Sequence, residues 1–281
     1  MPAASASGGC KRPNRRSRQR GFALLIVMWG LVLPALVCAR VLSNGRMEAQ
    51  LAGNLRDAAV AEDAADGAIF RTIYNLVGAG EVRWPAQGSF RATVAGAPVE
   101  ITIRNLSGRV NPNVASPELL QALFGRLDLD KARAEALALA ILEWRATGPR
   151  LLNAKTADYA RAGRSEAPPE KPFRSLDDLG DVLGMTPELL ARLRPHLTLW
   201  WGSDPDPAYA DPVVMATLQS LGTVAPGAST ATSGRTNQAV EIVATAAGPG
   251  GARFSRMADA VVDAAGGRGT WRIMSWREPG L

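Results

Sequence analysis

Between Gly21 and Arg40 the sequence reads FALLIVMWGLVLPALVCA, eighteen residues without a charge. As a helix this stretch spans about 27 Å, roughly the hydrocarbon core of a bilayer. Upstream lie Lys11, Arg12, Arg15, Arg16, Arg18 and Arg20 with no acid among them. A basic flank of this kind favours a cytoplasmic N-terminus, with the remainder translocated. A secretory signal peptide would have a shorter apolar region ending in a small-residue cleavage site. Leu36-Val37-Cys38-Ala39 makes only a poor site of that kind. An uncleaved signal anchor is the plainer alternative.

The same six cations account for the whole formal charge of +6, so residues 22–281 are neutral. A nucleic-acid binder needs a retained basic surface to displace counterions from phosphates. Of the two cysteines, Cys10 precedes the apolar run and Cys38 lies in it, which leaves none for a disulfide framework or thiolate metal site in the head. His196 is the single histidine, and that excludes a multi-His metal cluster.

Helical patterning continues past the apolar run. Leu51, Leu55, Ala58, Ala65, Ile69, Ile73 and Leu76 keep three- and four-residue spacings, with Gly78 and Gly80 as a stop. One helix is therefore predicted from Phe22 to about Val77, with Pro34 as a kink inside the bilayer. Ala49, Ala52, Ala59, Ala61, Ala64 and Ala68 form a second, small-residue face. Neighbouring helices could approach along it, although alanine is also simply a good helix former.

Phe90–Ala95 and Pro98–Arg104 alternate apolar and polar residues, with Gly96-Ala97 as the turn between them. Strand signals return at Ala239–Ala244, Arg253–Val262 and Trp271–Trp276, with Gly248-Pro249-Gly250-Gly251 as a hairpin turn and 226–234 as a loop. Between these sets the chain reads as helical. Ser116-Pro117-Glu118-Leu119-Leu120 and Thr186-Pro187-Glu188-Leu189-Leu190 are helix starts with a hydroxyl cap and an early proline. Ser175-Leu176-Asp177-Asp178-Leu179 resembles a capping box, and Leu129–Arg145 is a longer amphipathic helix. The expected fold is α+β: a long N-terminal helix packed on an antiparallel sheet, with a large all-helical domain inserted between strands. The corresponding segments are 1–21, a leader; 22–42, the transmembrane part of the helix; 43–111, the helix's second half and first strands; 112–202, the inserted helical domain; and 203–281, a linker and the last strands.

The Gly21–Phe22 junction, where the basic run meets the apolar run, resembles the type IV prepilin leader. Further matches follow in order: Ala65-Asp66-Gly67-Ala68, Asn111-Pro112-Asn113, Ala140-Ile141-Leu142-Glu143-Trp144-Arg145, Phe173-Arg174-Ser175-Leu176-Asp177-Asp178-Leu179, Leu193-Arg194-Pro195-His196-Leu197-Thr198 and Ser275-Trp276-Arg277-Glu278. Together they resemble the K-class minor pseudopilin of the type II secretion system, over nearly the whole chain. That resemblance implies the pilin-like fold, cleavage by a prepilin peptidase between Gly21 and Phe22, and N-methylation of Phe22. It also implies a single-pass bacterial inner-membrane protein with a cytoplasmic N-terminus and a periplasmic head. Its role would be at the tip of a pseudopilus, helping to start assembly and to export folded proteins across the outer membrane. The implied partners are I- and J-class minor pseudopilins, the inner-membrane platform and the secreted cargo. Pilin-like subunits usually carry Glu at the fifth mature position, and here that position is Ile26. A lone intramembrane carboxylate is costly, and a tip subunit has no neighbour above to neutralise it, so Ile26 marks a tip position. Some family members bind calcium after the Trp-Arg pair. Here 146–155 reads ATGPRLLNAK without a carboxylate, whereas Ca²⁺ takes six to eight oxygens. Glu143 and Asp158 are the nearest acids, and no cofactor is expected.

Two other classes compete. A minor type IV pilin-like assembly protein shares the leader but has a smaller head. A helix-hairpin-helix nucleic-acid-binding membrane protein would use 113–123 and 176–190, but Arg126-Leu127-Asp128 lacks the paired glycines that present amides to phosphate. No enzymatic site is evident. Asp177 and Asp178 are adjacent and do not share a helix face, and His196 lacks a triad pattern. Trp200-Trp201 serves either as an exposed aromatic contact or as a lid over the helical core.

Overall fold

The computed structural model describes residues 16–78, 84–145, 159–161, 169–225, 237–263 and 269–279. The chain divides into two compact units, residues 1–57 and 58–281. Helix α1 runs from Arg16 to Leu76 with Pro34 inside it. In the first unit its Phe22–Arg40 segment is long and apolar enough to cross a membrane and is wholly exposed. The helix ends where Gly78, at φ +76°, takes the left-handed conformation that glycine adopts cheaply.

In the second unit five antiparallel strands stand in chain order: β1 (Gly88–Val94), β2 (Ala97–Asn105), β3 (Asn237–Ala247), β4 (Arg253–Asp263) and β5 (Thr270–Arg277). The first hairpin turns on Ala95 and Gly96, both with positive φ, because Val94 pairs with Ala97. This is one residue earlier than the predicted Gly96-Ala97 turn, and two positive φ values in a row suit the right-handed strand twist. β2 alternates buried and exposed residues along its length. Its inward set, Val99, Ile101 and Ile103, meets Ile69 and Ile73 of α1. Alanines on both sides, Ala64 and Ala68 against Ala244 and Ala258, belong to the same fully buried core. Small side chains there allow close approach of helix and sheet.

β2 and β3 are neighbours in the sheet, pairing Ile103 with Ile242, although 131 residues separate Asn105 from Asn237 by the numbering difference less one. The helical block fills that connection. It contains α2 (Pro117–Arg126), α3 (Lys131–Arg145), a 3-10 turn (Leu176–Asp181), α4 (Pro187–Leu193) and α5 (Pro212–Ser220). Ser116 and Thr186 accept from the amides of Leu119 and Leu189, and Ser175 with Asp178 completes the capping box. The longer helix starts at Lys131 instead of Leu129, with Asp130 accepting from the Arg133 amide. Helix α5 stands in the segment read as linker and strands. Its Val214 and Leu218 share a core with Leu120, Leu123 and Ile141, so the helical block reaches beyond residue 202. Asp211 caps α5 through the amides of Val213 and Val214. Where the chain leaves β2, Gly108 lies against Tyr209, whose carbonyl carbon would stand 2.1 Å from any Cβ placed there.

Candidate interaction surface

Phe22 and Ile26 lie on α1 with 69% and 57% exposure, and Gly21 stands in the same helix. Residues 146–155 and Asp158 lie outside the described residues. Glu143 is on α3 and has an interaction partner. Among the described residues no group of three or more His, Cys, Asp or Glu side chains is placed to hold a metal ion.

The motifs that carried the family resemblance prove to be joints of the helical block. The Asn111 side chain donates to the carbonyls of Leu199 and Trp201 and accepts from the Asn113 amide. Asn113 and Phe173 form a reciprocal pair at 3.0 and 2.8 Å. Arg145 donates to the carbonyls of Pro112 and Ala115, both at 2.6 Å, and burial lowers its pKa. Asp178 is consumed by the cap, and Asp177 pairs with Arg194. His196 Nδ1 lies 2.8 Å from Asp211, which is already the cap of α5. Asp177, Asp178, His196 and Arg145 are thus each held by a structural partner.

Trp201 meets neither expectation, and Trp200 does not cover the helical core. Trp201 is buried with Leu106 and Ala239 in a small core of its own, against the sheet. The Trp200 indole donates to Asp259 on β4 at 3.1 Å. The two rings fasten the helical block to the sheet instead of covering the helical core.

The small-residue face of α1 also divides. Ala61, Ala64 and Ala68 are fully buried, and Ala64 and Ala68 pack in the head's own helix–sheet core. Ala49, Ala52 and Ala59 are exposed. Only the exposed set is open to a neighbour, a correction to the continuous face predicted from spacing.

An exposed side of α1 carries Phe70 and Tyr74, and Phe70 reaches the edge strand β5. Within β5, Trp271 and Trp276 are five residues apart, which in a regular strand puts them on opposite faces. The β4–β5 register shifts between Asp259 and Ala260, so Trp271, Ile273 and Trp276 stand opposite Val262, Ala260 and Ala258, all core-facing. One extra residue, Met274, restores the parity. Phe70 then lies 6.2 Å from Trp271 and 5.5 Å from Trp276, ring centre to ring centre. Phe70, Tyr74, Trp271 and Trp276 remain 48%, 53%, 49% and 36% exposed. Large aromatics gathered at a surface supply contact area at low entropic cost and mark protein interfaces. No periodicity in the sequence reveals this ridge, because it depends on the bulge and on α1 crossing beside the edge strand.

Beneath the ridge, Arg256 fixes its geometry. Its guanidinium donates to Asp66 and Glu62 on α1, each at 2.6 Å, and lies 4.7 Å from the Phe254 ring and 5.5 Å from Trp276. The Asp66 hydrogen bond is the main cause that raises its pKa.

Residues 101–202 match the family model described as type II secretion system (T2SS), protein K. The fold is similar to a chain in the crystal structure of the GspK–GspI–GspJ complex from the type 2 secretion system of enterotoxigenic Escherichia coli. The TM-score is 0.52 and the identity 16%, over 85% of this chain and 100% of that one. No curated protein matches the chain.

Proposed function

We propose, from the match of residues 101–202 to the type II secretion protein K model, that the chain is a minor pseudopilin that stands at the tip of a pseudopilus and helps start its assembly and the export of folded proteins. The observation that carries this reading is the match to protein K over residues 101–202, from within β2 through most of the helical block, in a chain whose α1 begins as an exposed apolar span. That arrangement supports a single-pass inner-membrane anchor with the head in the periplasm. Processing occurs between Gly21 and Phe22, with methylation of Phe22, and Ile26 suits a position with no neighbour above. The solved complex of similar fold contains three secretion proteins. By that likeness the partners here are the I- and J-class minor pseudopilins, met along the exposed side of α1 and the Phe70–Trp271–Trp276 ridge. No metal is required for folding.

Two measurements test the reading. Intact mass of the membrane-extracted protein begins at Phe22; a start after Ala39, or an uncut leader, contradicts the processing step. Replacing Trp271 and Trp276 together with alanine lowers co-purification with the two partner pseudopilins by about tenfold or more, since exposed aromatic anchors dominate interface energy. Unchanged co-purification with an intact circular dichroism spectrum moves the contact off the ridge.

A further inference from the structure

A second feature lies away from the ridge, where the helical block meets the opposite face of the sheet. A cleft of about 440 Å³ opens between the 3-10 turn, the segment after α4 and strands β3, β4 and β5. Three carboxylates line it: Asp177, Glu241 and Asp259. All three are taken. Asp177 pairs with Arg194, Glu241 with Arg104 at 2.8 Å, and Asp259 with Arg277 at 2.8 Å. Two further arginines line the same cleft, Arg109 and Arg174. Among the described residues, no ion pair or side-chain hydrogen bond engages either guanidinium. Arg109 is half-buried, where an unmatched charge is less well hydrated than at an open surface. Four arginines thus line the cleft, and because Arg104 from outside it holds Glu241, two guanidinium forks are left over among the described residues.

Partly exposed apolar side chains, Leu176, Leu199 and Met274, and the Trp200 ring line the cleft between these charges. We infer that this cleft binds an acidic peptide segment of another protein, its carboxylates on Arg109 and Arg174 and its apolar side chains on Leu176, Leu199 and Met274. Guanidinium groups engage carboxylates through paired, planar hydrogen bonds. A polyanion such as a nucleic acid needs a long basic stripe, and the chain beyond residue 21 is formally neutral. A bare phosphate would leave the apolar lining uncovered.

The test uses the full chain in detergent and fluorescence anisotropy of three labelled peptides: one alternating Glu and Leu, the same with Gln for Glu, and the same with Lys for Glu. The acidic peptide binds, and the Gln and Lys versions bind about tenfold more weakly or not at all. Arg109→Gln with Arg174→Gln weakens the acidic peptide by about tenfold while leaving the thermal melt unchanged, because among the described residues neither guanidinium is engaged by an ion pair or side-chain hydrogen bond. Arg91→Gln, which breaks the exposed pair with Glu100 at the other end of the sheet, leaves binding as it was. Equal binding of the acidic and Gln peptides overturns the inference, and so does a double variant that binds like the parent. Full competition by inorganic phosphate below the peptide's own concentration also overturns it, since the site is then one for free anions. These variants leave the aromatic ridge intact, so the outcome is separate from that of the ridge experiment.

Discussion

Replacing Arg256 with alanine tests whether one guanidinium locks α1 to the sheet. Its side chain is 10% exposed, while those of Glu62 and Asp66 are 48% and 32% exposed. Removing one member of a buried pair costs about 3–5 kcal/mol. Here the abandoned acids can rehydrate, which places the loss near the low end, about 3 kcal/mol. The guanidinium also leaves the rings of Phe254 and Trp276, adding roughly 1 kcal/mol. For a domain of this size each 1 kcal/mol shifts the melting temperature by about 2–4 °C, so a loss of roughly 4 kcal/mol lowers it by about 8–16 °C. The assay is a near-ultraviolet circular dichroism melt of the full chain in detergent, where the tryptophan signals report the head. Arg256→Lys is the control. It keeps the charge but loses the planar fork that reaches both acids and stacks on Trp276, so it recovers about half of the shift. An alanine shift below about 2 °C, or a lysine variant as stable as the parent, refutes the assignment of Arg256 as the clamp.

Ala64→Glu sets a carboxylate into a fully buried helix–sheet contact and costs more than about 4 kcal/mol, read as loss of the cooperative melt. Ala52→Glu, on the exposed side of α1, stays within about 0.5 kcal/mol of the parent. Asn113→Ala removes both bonds of the reciprocal pair with Phe173. It destabilises the helical block by about 2 kcal/mol, and hydrogen exchange at the Phe173 amide accelerates. The Arg194 hydrogen bond holds the Asp177 carboxyl below its ordinary 3.8. The pair therefore stabilises the fold fully above the unfolded value, and that contribution disappears as pH falls through the lower folded value. Because Asp177 is 74% exposed, Asp177→Asn flattens the acid-side loss in urea midpoint by only a few tenths of a kcal/mol. Melts with added calcium and with chelator coincide; a large calcium-dependent gain would assign Glu143 or Asp158 a ligand role.

Local chemistry carried a large part of this structure in readable form. The apolar run from Phe22 to Ala39, the glycine stop of α1, the strict alternation of β2 and the hydroxyl caps of Ser116, Ser175 and Thr186 all act within a few residues of themselves. Each is therefore present in the sequence as a pattern. The motifs of the helical block were legible as markers of a family, though their work was not. Asn111, Asn113 and Arg145 hold carbonyls and amides brought from 30 to 90 residues away.

Other features were decided only when distant segments met. Ala52 and Ala64 are alike in helical spacing, and docking against β3 and β4 alone separates the exposed residue from the buried one. Helix α5 is short and gains its place from the α2 core, so it left little periodic signal of its own. Trp271 and Trp276 have the wrong parity to share a face until Met274 bulges out, and a bulge is a property of the pairing between two strands. Arg109 and Arg174 look like ordinary surface cations until the neighbouring acids are seen to be paired elsewhere. In each case the deciding energy lies in contacts across the chain, to which the order of residues along a single segment is blind.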